Sequence, residues 1–260
     1  MDINHKLCVL LPSLGRPEGL LAAIKSYEKN ASSYSDLKFG FSCMDKDLQA
    51  NINVLRDNGY NLDDCLWIYG DVGMCRTVNL MVKEDFPGYG SYMILNDDQI
   101  IHTKDFDKLL MNKLDALEKE HGHRLHILHW RDGINDQKLC QSFATKEMLE
   151  VLGTYYPDGY MRHLYSDNLY QLIGETCGLL HYMPEIYIEH NHPCAGKAKT
   201  DATYQKTNSK QLYQVDGAQY ARWLNSQAIP MCKKISEKIG RPFDEKAMAD
   251  KIRTLIEPKK

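Results

Sequence analysis

Short apolar runs alternate with amphipathic stretches through the first hundred residues, and each run ends in a polar loop. Residues 7–11, LCVLL, are continuously apolar and are closed by Pro12, the pattern of a strand buried on both faces as in a parallel sheet. Gly15 and Arg16 lead into Pro17 and Glu18, a proline and an acid where a first helical turn favours them, and Leu20, Ile24 and Tyr27 follow at helical spacing. The pattern predicts a second strand over 38–42, running into Cys43-Met44-Asp45-Lys46-Asp47, and a third over 66–69, running into Gly70-Asp71-Val72-Gly73. A fourth, 92–95, runs straight into Asn96, Asp97 and Asp98. Residues 105–120 then place Phe106, Leu109, Leu110, Leu114 and Leu117 on a helix that Gly122 ends.

The second half is less regular. Its pattern predicts a strand over 125–130, a helix over 145–152 capped by Thr145 and ended by Gly153, a helix over 166–173 opening at Ser166 or Asp167, and a strand over 187–190. The polar stretch 190–205, HNHPCAGKAKTDATYQ, reads as a loop, and helices over 209–227 and 244–256 close the chain. Strands alternating with helices imply an α/β fold with a mostly parallel sheet flanked by helices, a C-terminal helical tail, and ligands held beyond the carboxyl ends of the strands. The expected organisation is one domain over 1–205, divided at 102/103, and a helical extension over 206–260.

Length and composition fit that picture. At 260 residues and 43% hydrophobic the chain can bury one sizeable core. A net charge of −3 excludes a surface that is an electrostatic footprint for nucleic acid throughout, while leaving room for a local basic groove. The eight cysteines are scattered without a CxxC pair, which points to reduced thiols rather than a zinc ribbon or disulfide framework. No stretch of roughly 20 apolar residues is present to span a bilayer, and the first residues lack a signal-peptide pattern, so the expected location is the cytoplasm.

The chemistry concentrates at the predicted strand ends. Adjacent strand residues face opposite sides, so Asn96, Asp97 and Asp98 converge only if a turn begins there. An oxygen-rich cluster at such a turn suits a hard divalent cation that bridges to phosphate; the ordinary alternative is a solvated, self-capped turn. The exit of the first strand, with Pro12, Ser13 and Arg16, offers backbone N–H groups and a guanidinium beside a helix N-terminus, an arrangement that binds anions. Asp45 is a candidate to accept a hydrogen bond from a base or ribose, and Arg76 and Asn79 open a further helical run. Singly these residues also suit a surface cation or a turn; the argument rests on four strand ends in register.

The order VLLPSLGRPEGL, Asp45, GMCRTVN (73–79) and MILNDDQI resembles the nucleotide-sugar half of the family 2 glycosyltransferases of GT-A fold, over roughly residues 6–205. The resemblance implies an Asp-x-Asp motif holding Mn²⁺ or Mg²⁺ against a sugar-nucleotide diphosphate. Asn96 departs from that motif, which leaves Asp98 as the metal ligand with Asp97 in support. It further implies that Asp167, at a helix start, deprotonates the acceptor hydroxyl, although helix capping is the plainer role. A histidine after the last strand completes the metal shell in such proteins, which points to His192 ahead of His190. Lys197 and Tyr204 would then lie on a lid over the diphosphate.

The implied activity is metal-dependent, inverting transfer of a hexosyl or pentosyl group from a nucleoside-diphosphate sugar, expected to be UDP-linked, to a saccharide or a hydroxymethylated DNA base. Small bacterial and phage enzymes are the nearest type, which for a phage protein would mean the host cytoplasm. A nucleotidyltransferase and a non-catalytic nucleotide-sugar-binding domain are the competing readings. His121, His123, His126 and His129 straddle a predicted helix end and strand and are read as no metal cluster; Tyr155, Tyr156, Tyr160, Tyr165 and Tyr170 are read as core and rim.

Overall fold

Strand β1 (Leu7–Ser13) is buried at all seven positions, as a continuous apolar run at the centre of a sheet must be. The computed structural model in which it lies describes residues 2–43, 45–135, 138–139 and 141–256, apart from the side chains of residues 43, 45, 46, 64 and 85. After β1 come α1 (Pro17–Asn30), β2 (Ser35–Cys43), α2 (Asp45–Asp57), β3 (Cys65–Tyr69), α3 (Met74–Leu80), β4 (Ser91–Ile94) and β5 (Gln99–Ile101). The second half supplies α4 (Phe106–His121), β6 (Ile127–Arg131), β7 (Phe143–Thr145), α5 (Lys146–Leu152), α6 (Ser166–Cys177) and β8 (Leu180–His190). Helices α7 (Ala202–Thr207), α8 (Lys210–Trp223), α9 (Ile229–Lys238) and α10 (Glu245–Ile256) complete it. Among the described residues no helix is long and apolar enough to cross a membrane.

The main sheet has the order β3-β2-β1-β4-β7, parallel except for β7, and a smaller sheet has the order β5-β8-β6. From β1 the chain winds outward to β2 and β3, then returns to β4 on the other side, so the winding reverses between β1 and β4. That reversal opens a crevice at the carboxyl ends of the two strands. The pairing widens it: β4 leaves β1 after Leu10↔Ile94, whereas β2 stays with β1 to Ser13↔Phe41. Pro12, which has no N–H to give, therefore lies where β1 keeps a single neighbour.

The side chains of β1 alternate between two cores. Leu7, Val9 and Leu11 pack with Leu20 and Ile24 of α1 and Phe106 and Leu110 of α4. Cys8 and Leu10 belong to the opposite core, which also takes in Leu169, Ile173, Trp223, Ile235 and Ile252. The helices after residue 206 thus close one face of the same fold.

Several expectations need correction in detail. Strand 187–190 is the end of the eleven-residue β8; Pro184 hid the rest because a proline argues against a central strand. The β6–β8 register jumps from Trp130↔Met183 to Arg131↔Tyr187, and this bulge houses the proline. Helix α2 escaped notice because its core-facing position 51 is an asparagine, wholly buried. Helix α9 lies beyond the stretch predicted over 209–227, with Pro230 in its first turn after a π-type turn over Leu224–Ala228. The polar stretch 190–205 contains most of α7.

Helix α1 approaches the loop after β4 only because residue 19 lacks a side chain. A Cβ on Gly19 would lie 2.3 Å from the carbonyl oxygen of Asp97. Helix propensity alone predicts that Gly19→Ala stabilises the fold by up to ~1 kcal/mol. The backbone collision predicts a loss of ~1–3 kcal/mol instead, as in other overpacked interiors. We expect the second outcome, read as a lower urea midpoint at unchanged slope; a raised midpoint would mean that the loop yields freely.

Candidate active site

The crevice between β1 and β4 opens into a cavity of about 530 Å³ walled by the exits of both strands, the start of α6, the end of β8 and helix α7. Asn96 and Gln99 close a turn at its base: the N–H of Gln99 donates to the carbonyl of Asn96 at 3.1 Å, and the N–H of Asn96 to Oε1 of Gln99 at 2.9 Å. That turn brings the two neighbouring carboxylates onto a common partner. Arg16 Nη1 lies 3.2 Å from Asp97 Oδ1 and 3.5 Å from Asp98 Oδ2.

The two acids nevertheless differ. Asp97 is 8% exposed and its Oδ2 accepts from Ser13 Oγ at 2.7 Å. Burial outweighs Arg16 and, with Asp98 alongside, pushes its carboxyl up to about 6. Burial acts on Asp98 in the same direction, but His190, Arg16 and His192 together hold it below the usual carboxylate range. His190 Nε2 stands 3.4 Å from Asp98 Oδ1, an ion-pair contact too long for a good hydrogen bond, and that buried oxygen has no hydrogen-bond partner. Backbone pairing fixes this meeting, since Gln99 of β5 is registered with His190 of β8 and the N–H of Asn191 donates to the carbonyl of Asp98 at 2.8 Å.

Asp167 is the second residue of α6 and lines the same cavity. Burial raises its carboxyl above the ordinary value, against the pull of the Asn168 N–H, which donates to Oδ1 at 2.9 Å. Tyr204 of α7 borders the cavity, its ring centroid 4.8 Å from that of His192. His192 itself faces Cys194, with Nδ1 2.7 Å from Sγ, so the imidazole in contact with Asp98 is that of His190.

Other candidates lie elsewhere. Arg76 is exposed on α3, off the cavity. Asn79 clamps the 156–158 loop: it donates to the carbonyl of Tyr156 and to Asp158 Oδ1, each at 2.8 Å, and accepts from the N–H of Tyr156 at 2.8 Å. Lys197 pairs with Glu189 at 2.9 Å outside the cavity. The side chain of Asp45, at the start of α2, lies outside the described residues. His123, His126 and His181 form a continuous run of rings, with His126 Nδ1 3.0 Å from His181 Nε2, but no three metal-binding donors come together there among the described residues.

Sequence reasoning gave no role to Asp71, Arg162 or His163, all on the cavity wall, where Lys206 joins them. Asp71 binds Lys206 at 2.8 Å and Arg162 at 3.2 Å, which hold its carboxyl down against burial. Its position after β3, parallel to that of Asp45 after β2, was the available signal. Arg16 likewise reaches across to α7, gripping Asp201 through Nε at 2.9 Å and Nη2 at 3.1 Å.

A divalent cation fits this donor set. The Asp98 Oδ1 beside His190 Nε2 offers one carboxylate oxygen and one imidazole nitrogen, ligand types that Mn²⁺ accepts; no third His, Cys, Asp or Glu joins them among the described residues, so the other positions would fall to water and phosphate.

No family model matches the chain, and no curated protein matches it in sequence. Solved structures do. S. aureus TarS shares 11% identity at a TM-score of 0.51, over 96% of this chain and 55% of TarS, so the chain spans about half of that protein. TarS 1-349 in complex with UDP matches at 12% identity and a TM-score of 0.51, over 96% and 88% of the two chains. The mannosyltransferase PcManGT from Pyrobaculum calidifontis, in complex with GDP-Man and Mn²⁺, matches at 10% identity and a TM-score of 0.52, over 96% and 83%. At such identities the likeness is one of architecture, and it places the chain in the GT-A-type glycosyltransferase fold.

Proposed function

We propose that this chain is a metal-dependent, inverting glycosyltransferase that takes a sugar from a nucleoside-diphosphate sugar, UDP-linked in the simplest case. One observation carries the reading: the buried, hydrogen-bond-free Oδ1 of Asp98 shares a cavity, at the reversal of the sheet, with the raised carboxyl of Asp167. Asp98 and His190 would hold the cation, with Mn²⁺ or Mg²⁺ as candidates. When bound, such an ion supplies positive charge against a departing diphosphate. TarS bound to UDP and PcManGT bound to GDP-Man and Mn²⁺ support the donor class.

Arg16 and the amides at the start of α1 favour anionic phosphate at the mouth of β1. Asp167 removes the proton from an acceptor hydroxyl. The oxygen then forms its bond to the anomeric carbon as the bond from that carbon to the diphosphate breaks, with inversion. A general base works best when its pKa lies near the operating pH, and burial moves Asp167 in that direction. The acceptor is a hydroxyl of a saccharide or of a hydroxymethylated DNA base; product mass spectrometry with both offered identifies it. The lid is α7, held by Arg16–Asp201 and Lys206–Asp71, with Tyr204 facing inward.

Asp98→Ala should lower turnover by on the order of 10² or more. It should also abolish Mn²⁺-dependent binding of UDP in calorimetry. A folded Asp98→Ala protein with wild-type turnover would rule the reading out, and metal-independent UDP binding without turnover in the native chain would favour a non-catalytic binding domain.

Asp167→Asn should cost about 10²–10⁴ in kcat with donor affinity unchanged. Because the carboxylate is the working form and its pKa is raised, the native rate should fall as pH drops through a value above the ordinary ~3.9. The variant should lose that acid limb; an identical limb in Asp167→Asn would assign it to another group.

A further inference from the structure

The segment that delivers Asp167 is held by the C-terminal helices. Asp216 of α8 is wholly buried, and its carboxylate accepts from three consecutive backbone amides: Arg162 at 3.3 Å, His163 at 2.9 Å and Leu164 at 2.8 Å. One residue further, Tyr165 stands at φ 65°, a conformation shared among the described non-glycine residues only by Asp105. A left-handed tyrosine is unfavourable unless its surroundings hold it.

Helix α8 provides that hold. The ring of Tyr165 stacks on Tyr220 at a centroid distance of 5.3 Å and 12° between planes, and a Cβ on Gly217 would stand 3.2 Å from Tyr165 Oη. Positions 216, 217 and 220 lie together on one side of the helix. On the donor side the carbonyl of Arg162 accepts from the N–H of Cys75 at 3.0 Å, and Gly73, at φ 86°, leaves room for it, since a Cβ there would meet that oxygen at 2.9 Å. Ser166 Oγ closes the turn on the carbonyl of His163 at 3.1 Å.

We propose that Asp216 is a positioning residue for transfer: by gathering the amides of 162–164 it sets the left-handed turn at Tyr165, hence the start of α6 and the direction of the Asp167 carboxylate. This rests on the proposed reading of Asp167 as the base. A buried carboxylate that accepts several backbone amides is hard to replace, because no neutral side chain of that size accepts as many hydrogen bonds. The inference also gives the helices after residue 206 a part in catalysis beyond covering the core.

Asp216→Asn keeps the shape while turning one acceptor into a donor that faces amides. Because it is a core change, Gly217→Ala is its companion, pressing on Tyr165 while raising helix propensity. For each variant, kcat, KM for the donor sugar, Mn²⁺-dependent UDP affinity and amide hydrogen exchange at 162–164 should be measured on the full chain at a temperature where circular dichroism shows it folded. We expect kcat to fall about 10–100-fold for Asp216→Asn and several-fold for Gly217→Ala. UDP affinity should stay within twofold in both, and exchange at 162–164 should quicken in Asp216→Asn. Unchanged kcat in both folded variants, or kcat and UDP affinity lost together in Gly217→Ala, overturns the inference alone. A native chain with neither Mn²⁺-dependent UDP binding nor transfer overturns the reading of the site, and this inference with it.

Discussion

The site depends on one guanidinium shared among three carboxylates. Arg16, in the loop after β1, touches Asp97 and Asp98 from the loop after β4 and Asp201 at the cap of α7. Near a protein surface two unit charges about 4 Å apart interact by roughly 4 kcal/mol, comparable to the several kcal/mol needed to bury an ion. One cation therefore does not balance two buried acids. The imbalance falls on Asp97, which burial pushes up to about 6, while Asp98 stays low because His190 lies on its other side. A neutral Asn96 keeps a third charge out of the cluster. What remains is a carboxylate held in its charged form, with one buried oxygen that accepts no hydrogen bond and has the imidazole of His190 beside it.

Much of this was legible in the sequence because it depends on short-range pattern. The apolar run of β1, the first turn of α1 and the acids after β4 all follow local pattern, whereas β1 runs past Pro12 to Ser13 because its pairing with β2 continues there. The convergence of Asp97 and Asp98 was conditional on a turn, and Asn96 and Gln99 make that turn. The choice between His190 and His192 was not legible. Alternation puts both rings on one side of an extended chain, but cross-strand register decides which meets Asp98, and the pairing of β5 with β8 lies between segments some ninety residues apart. Arg76 and Asn79 misled for a related reason, since polar residues in the first turns of a helix look alike whether they face a ligand or, as Asn79 does, tie down a neighbouring loop.

The wall formed by Asp71, Arg162 and Lys206 illustrates a different limit. Each is an ordinary surface charge in its own segment, and only the approach of α7 and the 162–164 segment to the end of β3 makes them a group. Charge clusters assembled from distant segments leave no periodicity behind. The same applies to Asp216, which in sequence is one acid in a polar helix and in the fold is wholly buried.

The helices after residue 206 share one core with β1 rather than standing apart from it. Stacked rings of Tyr165, Tyr220 and Trp223 join the start of α6 to the centre of the second core, with centroid spacings of 5.3 and 6.0 Å. The first core fixes the other side of the cavity through α1, whose close approach to the Asp97 carbonyl needs the missing side chain of Gly19. Each half of the site is thus set by a different face of the sheet, and β1, buried on both, is the element between the Asp98 side and the Asp167 side. A loss of packing on either face would be felt at the cavity as a change in the relation between Asp98 and Asp167, since β8, which meets Asp98 through His190, also packs against α6.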